Sequence, residues 1–450
     1  MEFTSINPRT NEIIFQTETW TNQDLEKAIF QGEKDYSNWK KKTLQSRLKQ
    51  VEVIKDQLVL HKLKYAKTMV EEIGKPIAQA IAEIEKCINL CTYYQSISER
   101  TLAPKAIDNP HFDLSEMHYQ PLGGILGVMP WNFPFWQVFR FAIPAVISGN
   151  IIWLKHAPNA SLCNAILEEV FNFNLPIKIY RATFVSIPQI ENLVSHKHIQ
   201  GTSLTGSTRA GGALASLSGK HIKKTLLELG GNDAFLVLQD ADLEMAIQKA
   251  VFSRMINSGQ TCISTKRLYV PRELVSALKP ILLNEITQYV QGDLNEETTK
   301  IGYMARADLT QNMHHQIKNL EKLNFEHWIK VGEDDGNFVA PRVYFSSDLN
   351  ISVDVELFGP VLLVYAYDRV EEAINHINAS EFGLGASIWS KNVNKAKAIG
   401  LDIEAGSIAI NNIVQSNVYL PFGGIKKSGF GRELGGESLL EFVNKKVIYS

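Results

Sequence analysis

Two patterns of hydrophobic positions divide the chain. Over roughly the first hundred residues, apolar side chains recur at helical spacing, most clearly from Leu44 to Cys91. The segment Thr21–Asp24 offers a helix cap immediately before the apolar residue Leu25. From Gly123 the pattern changes to short apolar runs separated by helical stretches, which is typical of strands buried on both faces. This alternation predicts βαβ units and an α/β fold with mostly parallel sheets.

The short apolar runs form two blocks, which predict two α/β domains that meet near Gly231. The candidate strands are 125–129, 151–154, 183–185, 199–204 and 234–238, followed by 267–270, 361–365 and 386–389. Two other segments, His111–Tyr119 and Phe442–Ile448, fit neither block. They predict projecting strands that pair between subunits rather than within a core.

Length and charge narrow the class of protein. A chain of 450 residues is long enough for two or three domains. Its formal net charge of −2 argues against a surface that binds nucleic acid or anionic membranes. The longest stretch without a formal charge, residues 141–154, is interrupted by Pro144 and is too short to span a bilayer. No basic or apolar leader pattern follows Met1, so we expect a soluble, cytoplasmic enzyme.

The four cysteines do not make a disulfide framework in a chain of this length. Cys262 lies on a glycine-flanked loop before a strand, where a substrate can approach a thiol, although a buried structural cysteine is the more common case. Cys87 and Cys91 share a helical face without a further ligand pair, so we interpret them as packing residues. The segment His196–His198 is interpreted as a solvated turn. No metal site is predicted.

Two glycine-rich segments resemble nucleotide-binding loops to different degrees. Gly206–Gly211 follows a strand-like run and opens a helix, but it lacks the Lys-Ser/Thr ending of a mononucleotide loop. Its backbone amides remain suited to a pyrophosphate. Gly429–Gly431 lacks the strand, the third glycine and the downstream acid of a dinucleotide fingerprint. Only the first segment is therefore a candidate cofactor loop.

Two polar residues stand at the ends of apolar runs. Glu228 has apolar neighbours, and desolvation there would raise its pKa toward the range of a general base. An acid at a sheet edge that binds backbone amides is an equally good interpretation. Asn132 is held between Pro130 and Pro134, and a fixed amide is a good oxyanion donor.

Taken together, these segments resemble the aldehyde dehydrogenase superfamily over nearly the whole chain. The matching motifs, in the family's order, are Pro130–Pro134, Leu154–Lys155, Thr205–Gly211, Glu228–Gly231, Gly259–Cys262, Glu356–Pro360 and Pro421–Gly424. The resemblance implies a Rossmann-like cofactor domain (1–107 and 122–230), an α/β catalytic domain (231–431) and a β-strand oligomerisation arm (108–121 and 432–450). A homodimer or homotetramer would follow.

The resemblance also assigns catalytic roles. Cys262 would attack a small-molecule aldehyde to form a thiohemiacetal, because a thiolate is a strong nucleophile. Asn132 and the Cys262 amide would hold the oxyanion. Hydride transfer to the nicotinamide would leave a thioester, and Glu228 would activate the water that hydrolyses it.

The implied cofactor is NAD or NADP. Lys155 would bind the adenosine ribose, Ser207 the pyrophosphate and Glu356 the nicotinamide ribose, while Phe358 would pack beside the nicotinamide. The full set of candidate cofactor residues is Trp131, Lys155, Pro158, Gly206, Ser207, Gly211, Glu356 and Phe358.

Cofactor choice depends on the position of Pro158. NAD-selective relatives commonly carry a Glu there, which repels a 2′-phosphate, so we expect NADP to be accepted with help from Lys155 and more weakly from His156. The opposite expectation is that the Pro158 backbone narrows the pocket for the 2′-phosphate and so excludes NADP.

Within the family, the chain is most similar to short succinate-semialdehyde dehydrogenases. The resemblance makes Trp136, Arg140 and Ser416 candidate substrate-binding residues, with Arg140 suited to a terminal carboxylate. The alternative for Arg140 is a structural ion pair. Many such relatives carry a second Cys two residues after the nucleophile. Here that position is Ser264, so an intraloop disulfide with Cys262 is impossible.

Other functions remain open at this stage. One alternative is an aldehyde dehydrogenase for another small aliphatic aldehyde. A second is a thiol esterase that uses Cys262 and Glu228, and a third is a dehydrogenase that passes the acyl group to coenzyme A. The presence of Glu228 favours hydrolysis over acyl transfer, and the intact cofactor motifs argue against an esterase. A catalytically silent binding protein would be expected to have lost Cys262 or Glu228.

Overall fold

A computed structural model describes residues 2–450, and the N-terminal region is helical as predicted. The cap before Leu25 is confirmed, since Thr21 Oγ1 accepts the Asp24 amide and the Asp24 carboxylate accepts the Thr21 amide. The helices are α1 (Asn22–Trp39), α2 (Leu44–Leu60), α3 (Lys62–Ile73), α4 (Ile77–Leu102), α5 (Trp136–Ile147), α6 (Ser161–Asn172), α7 (Ile187–Ser195), α8 (Thr208–Lys220), α9 (Leu243–Met255), α10 (Val275–Ile286), α11 (Ala307–Lys322), α12 (Val370–Asn378) and α13 (Val393–Asp402). None of these helices combines the length and the apolar content that a bilayer span requires.

The strands carry the α/β organisation predicted from the alternating pattern. They are β1 (Glu2–Ile6), β2 (Ile13–Glu18), β3 (Lys105–Ala106), β4 (Ser115–Pro121), β5 (Gly124–Met129), β6 (Ile151–His156), β7 (Tyr180–Ala182), β8 (Ile199–Thr205), β9 (Lys224–Glu228), β10 (Ala234–Val237), β11 (Arg267–Pro271), β12 (Glu326–Lys330), β13 (Arg342–Ser346), β14 (Val361–Tyr367), β15 (Phe382–Gly383), β16 (Gly385–Trp389), β17 (Ser407–Ile410), β18 (Ile425–Lys426), β19 (Gly429–Phe430) and β20 (Val443–Tyr449).

The first large sheet has the strand order β19-β9-β8-β5-β6-β7 and is parallel except for β19. The chain runs outward from β5 through β6 and β7 on one side, whereas β8 and β9 lie on the other side. The strand order therefore reverses between β5 and β8, and such a reversal opens a crevice at the carboxyl ends of the strands. Residues 429–430, which the predicted boundary assigns to the catalytic domain, form an edge strand of this sheet. The other domain boundaries stay a prediction.

The predicted strand over residues 183–185 is wrong. The strand at this place, β7, ends at Ala182, and the Phe184 carbonyl accepts the amide of Trp20 before α1 at 2.8 Å. Val185 is nevertheless fully buried. This apolar run is buried in the core, as its composition indicates. Its backbone, however, leaves the sheet and forms a hydrogen bond with the N-terminal segment instead.

The second large sheet has the order β12-β13-β14-β11-β10-β16-β17 and is parallel except for β12. Its central strands confirm that the apolar runs from residue 234 onward form strands. The amino ends of β10 and β11 face the carboxyl edge of the first sheet, because the loop before β11 bonds to the loop after β5. Asn132 Nδ2 donates to the Gln260 carbonyl at 2.9 Å. The two sheets thus meet at the edges that carry the candidate motifs.

The two segments that fit neither block form a small sheet. Strand β20 pairs antiparallel with β4 along its whole length, and β3 adds to the other edge of β4. Val447, Ile448 and Tyr449 are exposed on β20. The predicted strands are therefore confirmed, with residues 111–114 lying outside β4, and their pairing between subunits stays a prediction.

Two smaller expectations have different outcomes. Cys87 and Cys91 are fully buried in the main core, as expected for packing residues. The interpretation of His196–His198 as a solvated turn is wrong for His198. That ring is buried and lies edge-on against Tyr36 and Trp153. Its burial lowers its pKa to about 4, so it packs as a neutral ring.

A buried ion pair fixes the loop after β5 to helix α4. Lys75 Nζ donates to Glu83 Oε2 at 2.5 Å and to the Asn132 carbonyl at 2.9 Å. The other carboxylate oxygen of Glu83 accepts the amides of Phe135 and Trp136, at 2.9 and 3.0 Å, and so caps the start of α5. The pair therefore orients both Asn132 and the first turn of α5.

Replacing Glu83 tests this arrangement. Glu83→Ala leaves the Lys75 ammonium buried without a counter-ion, and we expect a loss of about 3–5 kcal/mol in the free energy of unfolding. Glu85→Ala on the same helix is the control, because Glu85 pairs with Lys62 at the surface and its removal costs at most about 1 kcal/mol. Urea denaturation followed by tryptophan fluorescence measures both. Equal losses for the two variants would contradict a special role for the buried pair.

Candidate active site

The candidate site lies where the two large sheets meet. The carboxyl ends of β5 and β8 supply Asn132 and Ser207, and the loop before β11 supplies Cys262. Asn257 Nδ2 donates to the Asn132 carbonyl at 2.8 Å, beside the bond from Asn132 Nδ2 to Gln260. Hydrogen bonds therefore hold the loop of the candidate nucleophile against the loop of the candidate oxyanion donor.

The loop before Cys262 has an unusual backbone. Asn257, Ser258 and Gly259 have φ angles of 52°, 56° and 75°, three consecutive left-handed conformations. At Gly259 a side chain has no room, because a Cβ would lie 2.2 Å from the Gly359 carbonyl oxygen. Non-glycine residues in this region cost free energy and persist only where surrounding contacts enforce them. The hydrogen bonds of Asn257 and Gln260 are such contacts.

Two buried cations lie behind this loop. Arg254 donates to the carbonyls of Gly259 and Leu357, at 3.0 and 2.8 Å, and thereby joins the loop to the segment that holds Glu356. Lys266 Nζ donates to the carbonyls of Thr261 and Cys262 and lies 3.8 Å from the Glu356 carboxylate. Neither cation was among the predicted site residues. No local pattern singles out either residue, because their partners include backbone carbonyls and a carboxylate that the fold brings together.

Cys262 is partly exposed, whereas Cys87, Cys91 and Cys163 are buried. Desolvation raises the pKa of the Cys262 thiol to about 12, although nearby Lys266 acts in the opposite direction. The thiol is therefore protonated at rest, and another group must accept its proton before the sulfur can attack a substrate. Its access to a cavity distinguishes this cysteine from the three others.

Glu228 ends β9 with its carboxyl group 2% exposed and without a hydrogen-bond partner among the described residues. Desolvation, reinforced by the neighbouring Glu433 carboxylate, raises its pKa well above the ordinary range. The interpretation of Glu228 as an acid bound to backbone amides is thus wrong. An unpaired buried carboxyl group is rare, and such groups are candidates for functional roles.

Arg140 on α5 forms the structural ion pair that was the alternative to substrate binding. Its Nε lies 2.6 Å from Glu433 Oε2, its Nη2 lies 3.4 Å from Thr205 Oγ1, and its guanidinium lies over the Phe422 ring. Both partners of the ion pair are buried. Arg140 still borders the cavity next to Cys262, but its charge is already balanced.

A cavity of about 450 Å³ reaches Cys262 from the surface. Phe133, Trp136 and Phe422 give it apolar walls, and Ser416 lies on its border. Helix α4 contributes a polar stripe at helical spacing, which ends at Lys86. The stripe consists of Gln79, Glu83 and Lys86. Lys86 was not predicted, although its helical spacing from Gln79 and Glu83 was a signal that could have found it.

The candidate cofactor residues lie on the crevice of the first sheet. Ser207 caps α8 by accepting the Ala210 amide, and the Gly206 amide donates to the Glu228 carbonyl at 2.9 Å. Gly211 packs against Leu229, where a Cβ would lie 2.5 Å from a methyl carbon. A helix amino end with an exposed serine is suited to a pyrophosphate.

The residues expected near the adenosine ribose lie at the end of β6 and in the turn that follows it. Lys155 is buried at the end of β6, and burial lowers its pKa. Pro158 is exposed at the start of a short 3₁₀ turn. The expectation that His156 helps to bind a phosphate is wrong. His156 is buried, its Nε2 lies 3.0 Å from the Pro134 carbonyl, and burial lowers its pKa to about 4.

Glu356 and Phe358 lie across the crevice. Glu356 Oε1 accepts the Gly231 amide at 3.1 Å, and burial raises the pKa of its carboxyl group. The Phe358 ring lies edge-on to Trp131, with centroids 5.9 Å apart. Through Lys266, which contacts both the Glu356 carboxylate and the Cys262 carbonyl, these side chains lie beside the loop of Cys262.

Comparison with known proteins agrees with this geometry. The sequence profile of the aldehyde dehydrogenase family matches residues 1–448. The chain is 36% identical to a probable NADP(+) succinate-semialdehyde dehydrogenase of Synechocystis, over 100% of both chains. It is 34% identical to the NAD(P)+ succinate semialdehyde dehydrogenase Sad of Escherichia coli K12, over 99% of this chain and 97% of that one.

Solved structures extend the comparison to the whole fold. The crystal structure of succinic semialdehyde dehydrogenase from Streptococcus pyogenes, in complex with NADP+, is 33% identical in sequence and superimposes with a TM-score of 0.96. The match covers 100% of this chain and 99% of that one. The α/β fold, the order of the motifs and the full-length matches together establish that this chain belongs to the aldehyde dehydrogenase family.

Proposed function

We propose that this protein oxidises succinate semialdehyde to succinate, with NADP+ or NAD+ as the hydride acceptor. The observation that carries the substrate assignment is the cavity that reaches Cys262. It has aromatic walls suited to a short carbon chain and a polar border at Ser416 suited to a second polar group. The names of the Synechocystis, Escherichia coli and Streptococcus pyogenes relatives support the same substrate.

The chemistry begins at Cys262. The thiol would pass its proton to a water molecule in the cavity. The sulfur would then attack the aldehyde carbon to form a C–S bond, while the π electrons of the carbonyl move to its oxygen, which becomes an oxyanion. Asn132 Nδ2 carries two N–H groups, and the Gln260 carbonyl accepts only one. The second N–H is available to the oxyanion. A nicotinamide cofactor, held by the residues of the crevice described below, would supply the hydride acceptor at this step, and loss of hydride from this carbon would leave a thioester on Cys262.

Glu228 supports the second half of the reaction. A carboxyl group whose pKa is raised is a stronger base once it is deprotonated, and its deprotonated fraction rises with pH. Glu228 would take a proton from water as the water oxygen attacks the thioester carbon. The C–S bond would then break with the sulfur leaving as a thiolate, the proton held by Glu228 would return through water to that sulfur, and the acid would leave. No described residue forms a hydrogen bond with the carboxyl oxygens of Glu228, which are therefore free for this water.

The residues of the crevice fit a dinucleotide. The helix amino end at Ser207 would hold the pyrophosphate, Glu356 the nicotinamide ribose, and Lys155 the adenosine ribose. Among the described side chains, those of residues 3–450, no carboxylate lies within ion-pair distance of Lys155, so its charge is available to a 2′-phosphate. Pro158 places no negative charge beside it. NADP+ is therefore accepted, and Phe358 with Trp131 borders the place of the nicotinamide.

The first test concerns the two catalytic residues. Cys262→Ala should abolish aldehyde oxidation because no other described cysteine opens on the cavity, while Cys91→Ala should retain most of it. Glu228→Gln should stop at the thioester, so that one equivalent of reduced cofactor forms per subunit. Intact-protein mass spectrometry should then detect the acyl adduct. Turnover at the wild-type rate in Cys262→Ala would contradict this mechanism.

The second test concerns the substrate. Succinate semialdehyde should exceed butyraldehyde in kcat/KM by at least about tenfold, which is the contribution of one charge-assisted hydrogen bond. The two aldehydes have the same number of carbons, so the comparison isolates the carboxylate. Addition of coenzyme A should not change the rate, because the product is the free acid. Equal kcat/KM values for the two aldehydes would contradict the assigned substrate.

The third test concerns cofactor choice. NADP+ should support kcat/KM at least comparable to NAD+, and Pro158→Glu should lower the NADP+/NAD+ ratio by introducing a charge that repels the 2′-phosphate. Pro158→Gln is the neutral control and should change the ratio less. Both cofactors are measured on the same aldehyde. Activity with NADP+ below about one percent of that with NAD+, a difference of ~2.7 kcal/mol, would contradict the proposal.

A further inference from the structure

We propose that Lys86, acting with the hydroxyl of Ser416, binds the carboxylate of the substrate and makes the protein selective for aldehydes with a terminal carboxylate. The inference rests on the proposed function and assigns its specificity to a residue outside the motifs of the sequence. Lys86 lies on α4, whereas Ser416 lies on the loop before Pro421. The two side chains meet at the border of the cavity that reaches Cys262.

Arg140 is the obvious alternative, but its surroundings argue against it. Its buried guanidinium balances Glu433, whose carboxylate lies close enough to raise the pKa of Glu228. A turn of Arg140 toward a substrate would leave Glu433 buried without a counter-ion, and breaking a buried pair is strongly unfavourable. Arg140 therefore serves the carboxyl groups of the protein itself.

Unlike Arg140, Lys86 has no carboxylate partner among the described side chains. Its Nζ donates to Ser416 Oγ at 2.7 Å and lies 4.2 Å from the centroid of the Trp136 ring. No carboxylate among the described side chains, those of residues 3–450, lies within 4.0 Å of it, and Glu83, one turn earlier on the same helix, bonds to Lys75 instead. Desolvation and the neighbouring Arg140 charge lower the pKa of Lys86 to about 8, as expected for a cation that lacks an anion.

The hydrogen bonds of Ser416 determine what it can offer. Its Oγ accepts from Lys86 Nζ at 2.7 Å and from Trp136 Nε1 at 2.9 Å. A hydroxyl oxygen has two lone pairs and one O–H group, so both acceptor positions are occupied. The remaining O–H can only donate. An ammonium group and a hydroxyl donor side by side form a site that prefers an anion.

The position of this pair also sets the length of the substrate. Lys86, Gln415 and Ser416 border the cavity on one side and a separate surface cleft with Tyr93 and Tyr419 on the other. The bond between Lys86 and Ser416 thus forms part of the wall between the two spaces. A short chain that extends from Cys262 ends at this wall, where its carboxylate meets both donors.

The test compares succinate semialdehyde with butyraldehyde in wild type, Lys86→Met, Lys86→Arg and Lys67→Met. Lys86→Met should lower the ratio of the two kcat/KM values at least about tenfold, through a higher KM for succinate semialdehyde. Lys86→Arg keeps the charge and should restore part of the ratio. Lys67→Met removes an exposed charge on α3 and should leave the wild-type ratio. Butyraldehyde oxidation serves within each variant as the reference for a folded active site.

The outcomes separate this inference from the assigned substrate. A wild-type enzyme without preference for succinate semialdehyde contradicts the proposed function. A wild-type preference that survives in Lys86→Met contradicts only the assignment of Lys86. A loss in Lys86→Met that falls equally on both aldehydes also overturns it, because a binding role for the carboxylate affects one substrate alone.

Discussion

The position of the reactive thiol depends on hydrogen bonds between two loops that start from different sheets. Asn132 belongs to the loop after β5, and Asn257 and Gln260 belong to the loop before Cys262. The second loop contains consecutive left-handed residues, so it needs external contacts to keep its shape. Several residues supply those contacts, and among them is Asn132, the residue that would also stabilise the oxyanion. Nucleophile and donor are consequently positioned together and not separately.

Buried charges extend this constraint outward from the loops. Lys75 and Glu83 hold the Asn132 segment and the start of α5, and Lys266 lies between the Cys262 carbonyl and the Glu356 carboxylate. Such groups are costly to bury, and they are tolerated where several hydrogen bonds satisfy them at once. Each joins segments that are distant in the sequence. The site is therefore rigid because its charged residues bridge elements, in addition to the apolar packing around them.

The sequence predicted the α/β fold well because local patterns of apolar residues indicate strands and helices, whereas the roles of the motif residues stay a prediction. Apolar runs revealed the central strands. The glycine-flanked loop alone left a buried structural cysteine as the more common case for Cys262, and the family resemblance selected it; the structure shows that Cys262 borders the cavity. The partners of charged residues were harder to predict from the sequence, because they lie on segments that are distant along the chain. Nothing near Arg140 indicates Glu433, and nothing near His156 indicates the Pro134 carbonyl. The strand expected at 183–185 failed for a related reason, since burial was visible and hydrogen bonding was not.

The distribution of charge around the cavity favours discrimination against neutral aldehydes. An uncharged chain of the same length that fills the cavity would displace water from Lys86 and Ser416 without replacing the hydrogen bonds that this water makes. A carboxylate replaces them and also supplies the counter-ion that the ammonium lacks. The preference then arises as much from the penalty imposed on the neutral chain as from attraction to the charged one. Arg140 cannot impose this penalty, because Glu433 balances it whether or not a substrate is present.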